Sequence, residues 1–266
     1  MYDVTNRRRE KLSGDKRKEN SIMKKIISLV LALALAMCAT LALAEEAAPE
    51  EEEGVEVELM SHEQYAQAEI DAPVYVETYV QATQSWWQDK ITVYAQSEDG
   101  AYFIYELACT EEDAAKLVPG TKIAVTGFKS EWSGEVEITD ASFEFIEGEP
   151  FVAEAADVTA LLGTEELIDH QNELVAFKGM TVEAYDESGA AFAYKDAEGK
   201  TDDLYFKVSK DGKTYDFCVE FYLCGKDTDV YKAVEALNVG DVIDIEGFLY
   251  WYNGANPHVT SVTKAE

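Results

Sequence analysis

The sequence predicts a mostly β protein built of two small β-barrels in tandem. Runs rich in Val, Ile, Tyr and Phe alternate with turn residues along most of the chain, which is typical of short β-strands. A short helical pattern interrupts each half at the same place, between its third and fourth strands. A phrase of the first half recurs in the second half, which indicates an internal repeat. A β-sandwich is the alternative architecture, and the two helices argue against it.

The composition is that of a folded, strongly acidic protein. The 266 residues include 22 Lys and Arg against 53 Asp and Glu, which gives a formal net charge of −31. Hydrophobic residues at 47 % and aromatic residues at 11 % exclude a wholly disordered chain. The length suits one large domain or two small ones.

The first 44 residues have the pattern of a targeting segment rather than of a domain. Met23 and two lysines precede an apolar run that ends in Ala42-Leu43-Ala44, directly before two glutamates. A basic start, an apolar run and an A-x-A site are typical of a secretory signal peptide. We therefore predict a start extension over 1–22, a signal peptide over 23–44 and cleavage before Glu45.

Two other interpretations fit this segment less well. A retained membrane anchor would have about the right length, but the cleavage site is well formed. A lipoprotein anchor at Cys38 would follow Met37, which is larger than the small residue usual at that position. The sequence thus predicts a secreted or cell-surface bacterial protein with no membrane span after the signal peptide is removed.

The charge of the remaining chain bears on its partners. Residues 45–266 hold 13 lysines, no arginine and 49 acidic residues, a net charge of −36. Arginine supplies most bidentate contacts to phosphates and guanines, so its absence makes nucleic acid an unlikely partner. Such a negative chain favours a neutral or cationic ligand, or another protein.

The first barrel is predicted over 61–150, after an acidic, disordered tether over 45–60. Ser61 and Gln64 form a capping-box pattern that predicts a short helix. Thr110 is the predicted N-cap of a second short helix. The predicted strands are 74–83, 90–96, 101–107, 121–128 and 135–145, and that second helix covers 110–117.

The second barrel is predicted over 151–266, with the boundary between Gly148 and Asn172. Its order of elements is that of the first barrel with one additional short strand. The predicted strands are 174–184, 190–194, 204–208, 215–223, 241–249 and 258–262, with a helix over 227–237 before the last two.

A constant offset of 120 residues relates the two halves. Trp132 and Tyr252 occupy equivalent positions, and six residues around the predicted helix-to-strand crossing are identical. They are Leu117, Gly120, Ile123, Gly127, Phe128 and Gly134, which match Leu237, Gly240, Ile243, Gly247, Phe248 and Gly254. We interpret the repeat as duplication of one barrel unit.

Five strands with a helix between the third and fourth resemble the OB-fold, a small Greek-key barrel. The phrases 117–127 and 237–247 look like the crossing from helix to fourth strand in such barrels. The resemblance covers about 70–146 and 173–263. It implies ligand binding without naming the ligand, because OB-folds host oligonucleotide, oligosaccharide and protein binding.

The sequence contains no motif of a familiar catalytic or metal site. H-E-x-x-H and G-x-S-x-G patterns are absent, and the three histidines lack metal-ligand spacing. Acidic pairs are too frequent for a catalytic pair to be singled out. Cys109, Cys218 and Cys224 lack C-x-x-C spacing, which predicts free thiols. We therefore expect no enzyme activity, no catalytic residue, no metal and no cofactor.

The tryptophans are the best candidates for ligand-binding residues. Trp86 and Trp87 fall in the loop between the first two strands, and Trp132 falls between the last two strands of the first barrel. The equivalent hairpin of the second barrel carries Tyr250, Trp251 and Tyr252. These loops flank the ligand face of an OB barrel, where aromatic rings stack on sugars, bases or cationic groups. The alternative is that the rings pack the two barrels together.

These observations predict an exported, non-enzymatic binding protein. Aromatic loops of the two barrels would bind a neutral or cationic ligand such as a glycan, a peptide or a small molecule. One alternative is a structural or protein-interaction module of the cell surface. The other is a hydrolase whose site carries no recognisable motif.

Overall fold

The computed structural model describes residues 57–195 and 202–265. The predicted start extension, the predicted signal peptide and residues 45–56 of the predicted tether lie outside the described residues, as does the segment 196–201. Within the described ranges, no helix has both the length and the apolar character needed to cross a membrane.

The first barrel closes in the strand order β1-β2-β3-β5-β4. Closure rests on the antiparallel pairing of β1 with β4 and on a short parallel pairing of β3 with β5. Its elements are α1 (His62–Gln67), β1 (Pro73–Thr83), β2 (Lys90–Ser97), β3 (Gly100–Ala108), α2 (Glu111–Ala114), β4 (Lys122–Trp132) and β5 (Glu135–Phe145).

The second barrel contains β7, β11, β12, β10 and β9, and the pairing of β9 with β7 closes it. Short strands β6 and β8 extend this sheet beside β7 and β9. The elements are β6 (Ala156–Asp157), 3₁₀ turns Thr159–Leu161 and Glu165–His170, β7 (Leu174–Glu183), β8 (Phe192–Tyr194), β9 (Leu204–Lys210), β10 (Lys213–Val219), α3 (Asp229–Glu235), β11 (Val242–Phe248) and β12 (His258–Lys264). Two closed five-stranded barrels in tandem confirm the predicted fold class, and closure excludes the sandwich.

The repeated glycines mark the same irregularity in both barrels. Gly127 and Gly247 lie at the points where the register between the fourth and fifth strands shifts by a β-bulge. A Cβ on Gly127 would lie 2.7 Å from Ile138 Cγ2, and one on Gly247 would lie 2.8 Å from Val259 Cα. Only glycine lets the paired strand approach this closely.

A second pair of glycines fixes the entry into the fourth strand. Gly120 and Gly240 both have φ of +90°, which favours glycine. Their amides donate to Val80 and Val182, in the first strand of the respective barrel, at 2.8 Å. The duplicated phrase therefore encodes one turn geometry, used twice.

Barrel 1 relies on α1 rather than on α2 to cover its core. The predicted helix over 110–117 is only the single turn Glu111–Ala114, and none of its residues is buried. Tyr65 of α1 packs into the core, with its ring 5.0 Å from that of Tyr102. Lys129 Nζ donates to the carbonyls of Tyr65, Ala66 and Ala68 at 2.8–3.0 Å, which satisfies the end of this helix.

Candidate functional site

The second barrel covers the outer face of strands β2 and β3 of the first. Tyr94 and Phe103 point away from the core of barrel 1 and form a separate buried cluster with Phe248 of barrel 2. The ring of Tyr94 stacks on Phe248 at 4.6 Å, and that of Phe103 meets Tyr250 edge-on at 5.3 Å. Strands 2 and 3 form the ligand face of an OB barrel. In barrel 1, that face is therefore occupied by barrel 2.

A histidine completes this contact between the barrels. We call the contact the seam, and it consists of Tyr94, Phe103, Phe248, Tyr250 and His258 with the polar groups around them. His258 Nδ1 lies 2.6 Å from the Tyr94 hydroxyl, and Tyr250 stacks on its ring at 4.2 Å. Burial lowers the pKa of His258 to about 4, because an apolar setting disfavours the charged imidazolium. The histidine is thus neutral near pH 7.

The hairpins that carry Trp132 and Trp251 meet each other in the seam. The Trp251 amide donates to Glu135 Oε2 at 2.7 Å, and the Asn253 amide donates to the Ser133 carbonyl at 2.7 Å. The Trp251 indole lies against Gly134. These two hairpins are equivalent in the repeat, so the duplicated units contact each other through the same element.

The segment between the barrels is also part of the seam. Gln171 Nε2 donates to the Gly134 carbonyl at 2.8 Å, and Asn172 Nδ2 donates to the Val136 carbonyl at 3.0 Å. The Leu174 amide, at the start of β7, donates to Gln96 Oε1 of barrel 1 at 2.8 Å. The predicted boundary region is therefore held to barrel 1 by side-chain hydrogen bonds.

Two carboxylic acids are buried in the seam, one from each barrel. Glu135 is fully buried, and burial raises its pKa well above the usual range. Glu220 follows β10 and accepts the Leu223 amide at 2.7 Å; burial, followed by nearby Asp203, raises its pKa to about 8. Within the described residues, neither acid forms an ion pair.

Asp203 organises the barrel 2 side of this region. Its carboxylate accepts from Lys195 Nζ at 3.1 Å, from the Tyr205 hydroxyl at 3.2 Å and from the Phe221 amide at 3.0 Å. Cys218 lies close by, and burial raises the pKa of its thiol. Cys109, Cys218 and Cys224 are free, as predicted, and all three are buried. The described residues hold no group of three or more His, Cys, Asp or Glu that could bind a metal ion.

Trp86 and Trp87 differ sharply in their settings. Trp86 packs against the core of barrel 1, and its Nε1 donates to the Cys109 carbonyl at 2.9 Å. Trp87 is 64 % exposed, the largest value among the exposed large hydrophobic residues of the described chain. Its backbone is nevertheless fixed, because Trp87 and Lys90 exchange two hydrogen bonds of 2.9 and 3.2 Å.

The turn that presents Trp87 is strained. Gln88 and Asp89 have φ of +51° and +59°, a region that favours glycine and costs non-glycine residues of order 1 kcal/mol each. The Cys109 amide donates to the Asp89 carbonyl at 2.9 Å, which holds the turn in place. These φ values are those of a two-residue hairpin turn, so the exposed indole is presented on a fixed backbone.

The Trp87 loop also contacts barrel 2. The Ser85 amide donates to the Tyr222 carbonyl at 2.8 Å, and Tyr222 is itself an exposed aromatic residue. This loop of barrel 2 was predicted as strand, but β10 ends at Val219. The chain turns there because the Leu223 and Cys224 amides fold back onto the Glu220 carbonyl.

The six predicted binding residues therefore divide into three groups. Trp132, Tyr250 and Trp251 belong to the hairpins that join the barrels, and Tyr252 lies beside them with part of its surface exposed. Trp86 supports the barrel 1 core, and Trp87 faces solvent. Sequence reasoning missed Tyr94, His258, Glu135 and Glu220. The sequence shows that these polar residues lie within or beside apolar strands. It does not show which residues of the other barrel contact them.

Comparison with known proteins finds likeness only in solved structures. No family model and no curated protein matches the chain. A murine DNA-binding protein bound to double-stranded DNA is 13 % identical, with a TM-score of 0.36 over 73 % of this chain and 96 % of that one. A p204 HINb domain is 13 % identical, with a TM-score of 0.33 over 73 % and 98 %. A replication protein A heterotrimer bound to single-stranded DNA is 10 % identical, with a TM-score of 0.29 over 72 % and 50 %.

These structures correct one prediction. Nucleic acid was expected to be an unlikely partner, on the ground that the chain is acidic and lacks arginine after residue 44. That expectation is wrong as an exclusion, because structures with matching barrels include complexes with double- and single-stranded DNA. At these identities and TM-scores, the likeness assigns no ligand to this chain.

Proposed function

We propose that this chain is an exported, non-enzymatic binding protein whose ligand stacks on Trp87. The observation that supports this most directly is the 64 % exposure of an indole whose backbone is pinned on both sides of a strained turn. A rigid aromatic platform binds with little loss of side-chain freedom. The proposal of export rests on the signal-peptide pattern over 23–44.

The surroundings of Trp87 favour a ligand that combines a flat face with hydroxyl groups. Lys90 Nζ pairs with Glu106 at 2.7 Å, and the Tyr105 hydroxyl donates to the same carboxylate at 3.2 Å. Charged and phenolic groups on the strands that adjoin the Trp87 turn suit a sugar ring, whose C–H face stacks while its hydroxyls form hydrogen bonds. We therefore propose a glycan as the ligand.

The experiment is a titration of the chain from Glu45 onward with defined glycans, followed by tryptophan fluorescence and calorimetry. Peptides and single-stranded DNA of matched length form two further arms at several salt concentrations. Saturable binding of a glycan supports the proposal. Saturable, strongly salt-dependent binding of the DNA, with no glycan bound, would replace it with nucleic-acid binding.

Replacing Trp87 by Ala should weaken binding of the identified ligand by about 1–3 kcal/mol, the range for one stacking platform. Thermal stability should stay close to that of the wild type, because the side chain is mostly exposed and the turn is held by its backbone. Parallel calorimetry and thermal melts measure both quantities.

Two variants make this result specific. Phe128→Ala removes another exposed aromatic ring of barrel 1 and should leave affinity unchanged. Tyr252→Ala removes the exposed ring beside the Trp132–Trp251 hairpins. If Tyr252→Ala weakens binding and Trp87→Ala does not, the site lies at those hairpins and the assignment to Trp87 is incorrect.

A further inference from the structure

Glu220 and Glu135 are both buried in the seam, and both act electrostatically on Tyr94. Tyr94 is buried, and its pKa is raised by burial and then by the charge of Glu220, with a smaller effect from Glu135. Glu135, from barrel 1, accepts the Trp251 amide of barrel 2. Glu220, from barrel 2, begins the loop whose Tyr222 carbonyl accepts the Ser85 amide of barrel 1. Each acid thus stands at a hydrogen bond that joins the barrels.

In the part of the chain that the structure describes, neither acid forms an ion pair. Lys195, which is paired with Asp203 at 3.1 Å, lowers the pKa of Glu220 by less than burial raises it. Near Glu135, the ionisable groups are Glu137, Tyr94 and Tyr65, all of which would be neutral or negative. Cys218 and Cys224, close to Glu220, add no positive charge. Ionised carboxylates in such a setting are strongly disfavoured while the seam is closed.

We propose that the seam is a proton-operated latch, which opens above neutral pH when Glu220 and Glu135 ionise and then exposes the aromatic outer face of β2 and β3. Both carboxylates regain water when the barrels separate, whereas the closed seam favours their protonated forms. The exposed face would carry Tyr94 and Phe103, which barrel 2 now covers. The proposal concerns the contact between barrels and does not depend on a ligand at Trp87.

His258 has the opposite effect on the pH dependence of opening. Its imidazole is neutral in the closed seam and regains a proton more easily once the seam opens, so it favours opening as pH falls. Over the acid range this offsets the closing effect of protonated Glu220. The combined effect of Glu220 and His258 therefore increases opening mainly above about pH 6.

The pKa of Glu220 gives the size of the response. The pKa of Glu220 is about 8 in the closed seam and 4.5 in the opened one. From this group alone, the equilibrium constant for opening should rise about tenfold between pH 7 and pH 9. Ionisation of Glu135 acts in the same direction.

The test is amide hydrogen exchange of the chain from Glu45 onward, with rates corrected for the intrinsic effect of pH. Seam amides are those of Ser85, Leu174, Trp251 and Asn253; the amides of Val80 and Val182 report on the barrels themselves. Seam protection should fall about tenfold or more from pH 7 to 9, while Val80 and Val182 keep theirs. Glu220→Gln should make the fall about tenfold smaller than in the wild type, and the exposed-site control Glu154→Gln should behave as the wild type.

Two outcomes would overturn the latch. One is seam protection that does not change between pH 7 and 9 in the wild type. The other is loss of protection at Val80 and Val182 in step with the seam, which would mean that the whole unit unfolds.

Discussion

Replacing Gly247 by Ala should lower the free energy of unfolding by about 3 kcal/mol, since overpacking a tight site costs about 1–3 kcal/mol and more where backbone must move. The new Cβ would meet the His258 carbonyl oxygen and would lie 2.8 Å from Val259 Cα. Both obstacles are backbone atoms of β12, so rotation of a side chain cannot relieve the clash. His258 is also the seam histidine, and any shift of its backbone displaces its ring from Tyr94. Urea denaturation followed by circular dichroism measures the loss.

Gly225→Ala is the matched control for this substitution. Its Cβ would lie 3.5 Å from the nearest atom, the Phe221 carbonyl oxygen, which is an ordinary contact. We expect it to change stability by no more than about 0.5 kcal/mol. Equal stability of the Gly247 and Gly225 variants would mean that the bulge can relax, and the explanation given for the repeated glycines would then fail.

The repeat could be predicted because certain local backbone geometries require a particular residue type. A turn that needs positive φ and a bulge that needs close approach each demand glycine, so Gly120, Gly127 and their partners 120 residues later are readable without a structure. Strand β5 was predicted with its observed bounds, 135–145, because a turn and a composition change frame it. The predicted end of strand β10 was wrong at 220–223. Apolar residues continue there, but hydrogen bonds to Asp203 and Glu220 turn the chain.

The seam could not be predicted, because it depends on which surfaces of the two barrels face each other. Phe128 and Phe248 are equivalent in sequence, yet Phe128 is largely exposed while Phe248 is buried against Tyr94. The tryptophans divide in the same way: Trp87 remains at the surface, whereas Trp251 packs on Gly134. Local patterns mark an aromatic residue in a loop but do not say whether a second domain covers it.

Glu220→Gln should stabilise the fold increasingly as pH rises. The pKa of Glu220 is about 8 in the fold and 4.5 when exposed, so between these values the folded chain holds a proton that the unfolded chain has released. Stability therefore falls as pH rises through this window, by about 1.4 kcal/mol for each pH unit. The advantage of the variant over the wild type should grow by about 4 kcal/mol between pH 5 and pH 8.5.

The variant should also reveal the opposite effect of His258. The folded-state pKa of His258 is about 4 against 6.5 for the exposed group, so its contribution is present above pH 6.5 and is lost as pH falls toward 4. In the wild type, the two groups nearly cancel between pH 4 and 6. In Glu220→Gln, the loss of about 2 kcal/mol that His258 causes from pH 7 to pH 5 is no longer opposed by Glu220.

Urea unfolding of the wild type, Glu220→Gln and Glu154→Gln at half-unit steps from pH 4.5 to 8.5 gives these differences directly. Glu154 is exposed, so its variant should follow the wild type throughout and cancels the general effect of removing one acidic residue. A constant offset between Glu220→Gln and the wild type would show that Glu220 is ionised in the folded chain. In that case the buried acid has a cationic or solvent partner, and burial does not raise its pKa.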